Sequence, residues 1–189
     1  MTQSANVANW LRVVKVSYDG GMEHVLRMTG PLEPRGSWTA DQCTIARTLD
    51  VITTRSAFLI LREAFYGTAR FDDFARRAGI SEPVAASRLR ELVDHGLLER
   101  EDYREPGQRT RQCYRLTEKG ADLFPALVAL MQWGDRWLDE RGGPVELRHR
   151  GCGKPVVLEL QCRAGHTVTP DELDLAVRRP RRRVPSTRA

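Results

Sequence analysis

The sequence has no long hydrophobic run. The longest apolar stretch, from Leu123 to Leu138, is interrupted by Pro125, Gln132, Gly134, Asp135 and Arg136, so it is not expected to span a membrane. The N-terminus also lacks the basic segment, apolar run and small-residue cleavage site of a secretion signal. We therefore expect a cytoplasmic protein with no membrane partner, in which the four cysteines are reduced thiols or metal ligands.

Motifs of common enzyme classes are also missing. The chain contains no Gly-rich phosphate-binding loop, no Gly-x-Ser-x-Gly and no His-Glu-x-x-His. The four histidines are scattered without a nucleophile beside them: His24, His95, His149 and His166. The sequence therefore predicts that this protein is not an enzyme.

The positive charge is concentrated in a C-terminal tail. Residues 176–189 contain six arginines and no acidic residue, and removing them from the net charge of +5 leaves −1 for the rest. The tail could be a solubilising or processed end, or it could attract phosphates without regard to sequence. Basic composition is therefore weak evidence for nucleic-acid binding, and that function must be argued from pattern.

Four regions follow from the pattern along the chain. Residues 1–40 are punctuated by Gly and Pro and are predicted to be a disordered extension. Residues 41–141 carry helical periodicity and one hairpin pattern, residues 142–175 a second hairpin pattern, and residues 176–189 a disordered tail. The predicted fold class is therefore mainly α with small β-hairpins.

Two consecutive helices in the second region predict a helix-turn-helix. The first carries Phe71, Phe74 and Ala78 at helical spacing and ends at Gly79. The second begins after Ser81, runs to about His95 and places its large apolar residues on one face. Strand-like runs at 97–103 and 110–116 follow at once, and a hairpin in that position predicts the wing of a winged helix.

A long helix is expected from Thr117 to about Arg141. Its apolar residues spread over more than one face, so the helix needs a partner besides its own domain. A second copy of the chain is the simplest such partner, and the sequence predicts a homodimer. The alternative is a core helix of a larger monomer, which a chain of 189 residues hardly supports.

Double-stranded DNA is the predicted partner of the second helix and the wing. Small residues on the outer face permit close approach to the major groove, and arginines there can reach guanine edges or phosphates. Arginines on the wing suit a narrow minor groove. The predicted contacts are Pro83, Ala86, Ser87, Arg88, Arg90, Arg104, Arg109 and Arg111. The alternative is that Arg88 and Arg90 only solvate the helix or pair with Glu91 and Asp94.

The run from Cys43 to Gly134 resembles the HxlR family of winged-helix transcriptional regulators, relatives of the MarR group. The resemblance rests on stretches that include Leu59-Ile60-Leu61-Arg62-Glu63, Ser87-Arg88-Leu89-Arg90-Glu91-Leu92, Gly96-Leu97-Leu98-Glu99-Arg100, Tyr114-Arg115-Leu116-Thr117-Glu118-Lys119-Gly120 and Trp133-Gly134. It implies a dimer docked on a palindromic operator, with the terminal helices at the interface. Thr53-Thr54-Arg55-Ser56 stands where the family usually has Gly-Gly-Lys-Trp.

Cys43 is a candidate sensor. A helix N-terminus stabilises a thiolate and favours its reaction with oxidants or aldehydes, and a cysteine near this place is a sensor in some proteins that the chain resembles. The alternative is a buried, inert cysteine. Cys113 is interpreted as a packing residue of the wing.

The second hairpin pattern carries a candidate zinc site. His149, Cys152, Cys162 and His166 have the spacing His-x2-Cys-x9-Cys-x3-His around a strand-like run at Val156–Leu160. Such a hairpin would place four ligands as tetrahedral structural zinc requires, whereas an ordinary hairpin with incidental thiols is the alternative. A winged helix used for protein contacts, with this hairpin as a zinc-ribbon-like docking module, is the alternative to DNA binding for the whole chain.

Overall fold

The computed structural model describes residues 26–32, 43–52, 54–104, 111–138 and 140–177. The chain divides into two compact units, Cys43–Leu158 and a unit that combines Met1–Gln42 with Glu159–Ala189. Each unit is considered by itself below. The larger unit extends past Arg141, where the sequence predicted that the winged-helix domain would end.

The larger unit is mainly helical and contains one two-stranded antiparallel sheet. Its elements are α1 (Thr44–Val51), α2 (Arg55–Phe65), α3 (Phe71–Ala78), α4 (Glu82–Asp94), β2 (Leu98–Tyr103), β3 (Arg111–Leu116), α5 (Glu118–Ala121) and α6 (Phe124–Trp137). The smaller unit contains β1 (Arg27–Met28), β4 (Asp174–Leu175) and two single-turn 3₁₀ segments. The predicted class, a mainly α fold with a winged helix-turn-helix, is confirmed.

The α3–α4 pair is a helix-turn-helix closed by a glycine. Asp72 and Asp73 lie in the first turn of α3 and Arg76 and Arg77 in its last turn, where each sign suits the helix dipole. Gly79 then adopts a left-handed conformation with φ of +64°, which is costly for a residue with a Cβ atom. Replacing Gly79 would therefore strain the turn that sets the angle between the two helices.

The core of the larger unit lies where α2, α3 and α4 meet the strands. Its largest fully buried side chains are Phe74, Ile60, Leu61, Leu89, Leu92 and Leu98. Each such side chain contributes roughly 1.5–3 kcal/mol by leaving water. Because Leu89 and Leu92 hold the inner face of α4 in this core, the rest of α4 faces outward.

The hairpin β2–β3 is the predicted wing, and it is tied to both helices of the motif. The strands pair from Leu98↔Leu116 to Tyr103↔Arg111. The Tyr114 amide donates to the Ala69 carbonyl at 2.9 Å, just before α3. After β3, the Thr117 hydroxyl donates to the Gly96 carbonyl at 2.7 Å, just after α4. The wing therefore has a fixed base relative to α4.

The single long helix predicted from Thr117 to Arg141 is wrong. The structure has α5, a turn at Asp122-Leu123, and then α6, which ends at Trp137. Pro125 explains the break, because in a continuous helix its ring would clash with the Ala121 carbonyl and it has no N–H to donate. In the first turn of α6 neither problem arises.

The single hairpin predicted between residues 142 and 175 is also wrong. Val156–Leu160 is not a strand; two small turns are instead closed by isolated bridges, Arg148↔Pro155 and Gln161↔Thr167. The run before Leu158 is held against α6, where the Gln132 amide donates to the Val156 carbonyl at 2.8 Å and accepts from the Leu158 amide at 3.1 Å. The Val156 amide also donates to the Leu147 carbonyl at 2.8 Å, so this segment is held both by a backbone hydrogen bond and by the Gln132 side chain.

Part of the predicted N-terminal disorder is corrected as well. Residues 26–32 are ordered, and β1 pairs in parallel with β4. The Arg27 guanidinium donates to both carboxylate oxygens of Asp174, at 2.6 and 2.9 Å. The remainder of the predicted extension, and the tail from residue 178, lie outside the described residues.

Candidate nucleic-acid interface

The outer face of α4 carries the residues predicted to read DNA. Pro83 and Arg90 are exposed, whereas Ala86, Ser87 and Arg88 are half-buried at the flank of the helix. The opposite face is anchored by Ala85, Leu89 and Leu92, which are inaccessible to solvent. The predicted residues therefore lie outside the buried face of α4, and their contact with DNA stays a prediction.

Arg88 is held by an acidic neighbour. Its guanidinium Nη1 donates to one oxygen of the Glu91 carboxylate, and the Ser87 hydroxyl donates to the other at 3.0 Å. The alternative in which Arg88 pairs with Glu91 is thus observed. Partial desolvation raises the pKa of the Glu91 carboxyl, but the hydrogen bonds from Arg88 and Ser87 and the Arg88 charge outweigh it. The pKa of the Glu91 carboxyl is therefore lowered below its usual value, which favours its carboxylate form.

Arg90 differs from Arg88 in its surroundings. It is exposed, and it forms no ion pair with any residue in the described ranges. In particular, the alternative pairing of Arg90 with Asp94 is not observed there. The two arginines of α4 therefore offer one cation that is already oriented and one that is not.

The predicted wing contacts are placed in part. Arg104 directly follows β2 and Arg111 begins β3, and both are exposed. Arg109 lies outside the described residues. Arg111 is opposite Tyr103 in the strand register, so Arg104 and Arg111 lie at the end of the hairpin where the connection between the two strands begins and ends. A minor-groove contact by the wing would be made from this end.

Sequence reasoning missed a groove between the start of α3 and the wing. Its lining is of mixed charge and comprises Arg70, Phe71, Asp72, Asp73, Arg76, Tyr103, Arg111, Gln112 and Tyr114. The Arg70 guanidinium lies 5.3 Å from the centre of the Tyr103 ring, a cation–π distance. The sequence signal for this groove is Arg70, which immediately precedes α3. The first helix of a helix-turn-helix commonly crosses the DNA backbone.

A second surface of the larger unit is apolar and exposed. On α6, Leu130, Trp133 and Trp137 are 57%, 54% and 63% accessible, and Ile45 and Leu49 on α1 are exposed too. The spacing i, i+3, i+7 places the three α6 residues on one stripe. Leu127 and Val128, which complete the apolar arc of α6, are buried in the unit itself. One side of α6 therefore packs within its own unit, and the other side is exposed to solvent. That a second chain covers the exposed side stays a prediction.

Two of the four predicted zinc ligands lie together in one unit. His149 Nδ1 is 3.3 Å from Cys152 Sγ in an exposed turn that Gly153 closes. Cys162 and His166 belong to the other unit, where the Cys162 amide donates to the His166 carbonyl at 3.0 Å. Among the described residues, no group of three or more His, Cys, Asp or Glu side chains is gathered to hold a metal. The zinc site stays a prediction.

The two remaining cysteines have different environments. Cys43 occupies the N-cap of α1 and is half-buried, with no hydrogen bond from its side chain to the helix. Its role as a sensor stays a prediction. Cys113 is buried in β3, in agreement with its interpretation as a packing residue. In the described part of the chain, no helix is long and apolar enough to cross a membrane.

Comparisons with known proteins agree with this geometry. The family described as HxlR-like helix-turn-helix matches residues 51–142. The HTH-type transcriptional regulator Rv3095 of Mycobacterium tuberculosis is 47% identical over 120 residues, which cover 63% of this chain and 75% of that protein. The HTH-type transcriptional regulator sll1512 of Synechocystis is 32% identical over 103 residues, covering 54% and 75%.

A solved structure extends the comparison. The crystal structure of PA1607, described as a transcription factor, matches with a TM-score of 0.61 and 37% sequence identity. The match covers 75% of this chain and 96% of PA1607. The similarity therefore reaches beyond the helix-turn-helix to most of the larger unit.

Proposed function

This chain belongs to the HxlR-like helix-turn-helix family, and on that premise we propose that it acts as a homodimer on a palindromic DNA operator. It is a transcriptional regulator with a helix-turn-helix DNA-binding fold, and not an enzyme. The proposal concerns the finer points: which surface reads DNA, which surface pairs two chains, and what symmetry the binding site has.

The observation that carries the DNA-reading surface is the division of α4 into two faces. Leu89 and Leu92 fix one face in the core, and Arg88 and Arg90 lie outside it. A helix fits the major groove when the residues near the DNA are small or can donate hydrogen bonds to guanine. Arg88 and Arg90 are the donors, and Ala86 and Ser87 allow the approach.

The wing extends the same surface. Arg104 and Arg111, which flank the connection between β2 and β3, would enter the adjacent minor groove, where a narrow groove concentrates negative potential. The base of the wing is fixed to both helices of the motif. A contact by either arginine would therefore align α4 on the duplex.

The exposed apolar stripe of α6 supports the homodimer. A stripe of Leu130, Trp133 and Trp137 contacts water in a single chain, and aromatic residues of this kind dominate protein interfaces. In a two-fold dimer the same patch is used on both chains. Two copies of α4 would then be related by a two-fold axis and would read two inverted half-sites, about one helical turn apart.

Selection from a random duplex library tests the DNA-reading surface. We expect the wild-type chain to enrich one inverted repeat, and the variant R88A/R90A to lose at least about tenfold in affinity for it. The matched control, R150A/R163A, removes two exposed arginines of the C-terminal region and should keep the preference. A folded R88A/R90A variant with wild-type affinity would contradict the assignment.

The same assay separates this function from a protein-docking module. A docking module would bind random DNA only through its arginine-rich tail, and deletion of residues 178–189 would abolish binding. The relatives are transcriptional regulators by description, which favours DNA as the partner. We therefore expect sequence preference to survive deletion of the tail, with a weaker dependence on salt.

A further inference from the structure

We propose that Glu91 is a positioning residue that makes α4 selective, because it holds Arg88 and Ser87 in place before DNA is bound. The inference rests on the proposed function, since it assigns a role within the same DNA-reading surface. It goes beyond that function by separating the two arginines: Arg88 would discriminate between sequences, and Arg90 would attract any duplex.

The geometry gives Glu91 two partners on the predicted reading face. One carboxylate oxygen accepts from the Ser87 hydroxyl at 3.0 Å, and the other accepts from Arg88. These partners precede Glu91 by four and three residues, so all three side chains lie on one side of the helix. Each carboxylate oxygen thus fixes the direction of one group that could contact a base.

The position of Arg88 adds a second observation. The Arg88 side chain is 28% exposed, and its Nε is buried without a hydrogen-bond partner in the described part of the chain. Its stem therefore lies along the helix, and its guanidinium is placed by Glu91. An arginine held in this way loses less conformational freedom on binding than a free one.

The charge of Glu91 also opposes indiscriminate binding. The Glu91 side chain is 44% exposed, so its carboxylate would repel phosphates that approach Arg88 without the matching bases. A base edge that accepts hydrogen bonds from Arg88 can offset this repulsion, whereas a phosphate alone offsets less of it. Removing the negative charge should therefore tighten binding to random DNA more than binding to the selected site.

The test compares E91Q with D94N. Both variants remove one negative charge from α4, but Asp94 makes no ion pair with the residues that the structure describes. Fluorescence anisotropy would give Kd for the selected duplex and for a scrambled duplex of equal length. We expect E91Q to lower the ratio of the two affinities about tenfold, and D94N to leave the ratio within about twofold.

A double variant shows whether Glu91 acts through Arg88. In an R88A background the substitution E91Q should change the affinity ratio much less than it does in the wild-type chain, because only Ser87 remains of the two side chains that Glu91 positions. An unchanged ratio in E91Q, or an equal loss of selectivity with and without Arg88, would overturn the role of Glu91.

A failure of the proposed function would give a different result from a failure of the role of Glu91. In that case the wild-type chain itself would prefer no duplex over its scrambled counterpart. R88K provides a further check that leaves Glu91 intact: it should keep affinity for scrambled DNA and lose selectivity, since lysine cannot make the paired contacts of a guanidinium. Retained selectivity in R88K would also overturn the proposal.

Discussion

The α2–α4 region and the helices α1 and α6 belong to one compact unit, but they differ in how much of their apolar surface is buried. In the first region Phe74, Leu89 and Leu92 are completely buried. On α6, Trp133 and Trp137 remain more than half exposed. The first region therefore completes its core within one chain, whereas α6 completes only the side that carries Leu127 and Val128.

This difference supports the proposal that a second chain packs on α6. Burial of a large apolar side chain stabilises a protein. The exposed stripe on α6 would stabilise an assembly if a second chain covered it. Helix α4, which is proposed to read DNA, shows the reverse pattern. Its apolar face is buried in the core, and its other face is polar and cationic. In the proposed function, recognition of DNA and recognition of a partner chain would therefore belong to different helices.

The largest expected effect separates the two regions directly. Phe74→Ala should lower the free energy of unfolding by about 3–5 kcal/mol, because it leaves a cavity in a core with no space to spare. Trp133→Ala should cost less than about 1 kcal/mol at concentrations where the chain is monomeric. Chemical denaturation followed by circular dichroism measures both. Equal losses would contradict the comparison.

The next effect concerns association. L130E/W133E should weaken the dimer at least about a hundredfold, since an unpaired carboxylate buried in an interface costs about 3–5 kcal/mol. V84E, which also places an acid at an exposed apolar position, is the control and should leave the dimer intact. Sedimentation equilibrium measures the association. A folded L130E/W133E variant that sediments as a dimer would show that α6 does not pair the chains.

Gly120 and Gly134 differ in the space available for a side chain. A Cβ atom added at Gly120 would lie 2.1 Å from the Leu97 carbonyl oxygen, whereas one at Gly134 in α6 would meet nothing within 4 Å. Gly120→Ala should therefore destabilise the fold by about 1–3 kcal/mol. Gly134→Ala should stabilise it by up to about 1 kcal/mol, as alanine does within a helix. Thermal unfolding measures the stability of both variants. A Gly120→Ala variant more stable than the Gly134→Ala variant would contradict the account.

The smallest expected effect on the winged helix comes from the predicted zinc site. If His149, Cys152, Cys162 and His166 bind zinc, purified protein should hold about one ion per chain, with Zn–S distances of about 2.3 Å. C152S should lower the metal content, C113S should not, and a chelator should leave the winged helix folded. Elemental analysis that finds no metal under reducing conditions would refute the site.

The fold of the α2–α4 region could be predicted from the sequence because its signals are local. Apolar residues recur at helical spacing, and glycines such as Gly79 and Gly96 stand where the chain turns with positive φ. The wing followed from its position after α4. The Arg88–Glu91 pair was anticipated only as an alternative, since spacing alone does not say which neighbour an arginine chooses.

The remaining elements depend on information that the local pattern does not carry. Pro125 falls inside the single helix that the apolar pattern predicts, whereas in the structure it lies in the first turn of α6. The β-branched Val156 and Val157 indicate a strand, but the segment is held by one backbone hydrogen bond to Leu147 and by the distant Gln132 side chain. The pairing of Arg27 with Asp174 joins residues that are 147 positions apart, and no local signal marks it.

The most direct test of the central claim is the number of chains bound to one selected duplex. Sedimentation of the complex should show two chains of 21.5 kDa each on a single inverted repeat with half-sites about 10 base pairs apart. The variant L130E/W133E should bind the same duplex more weakly and one chain at a time. One wild-type chain per duplex at saturation would contradict the account.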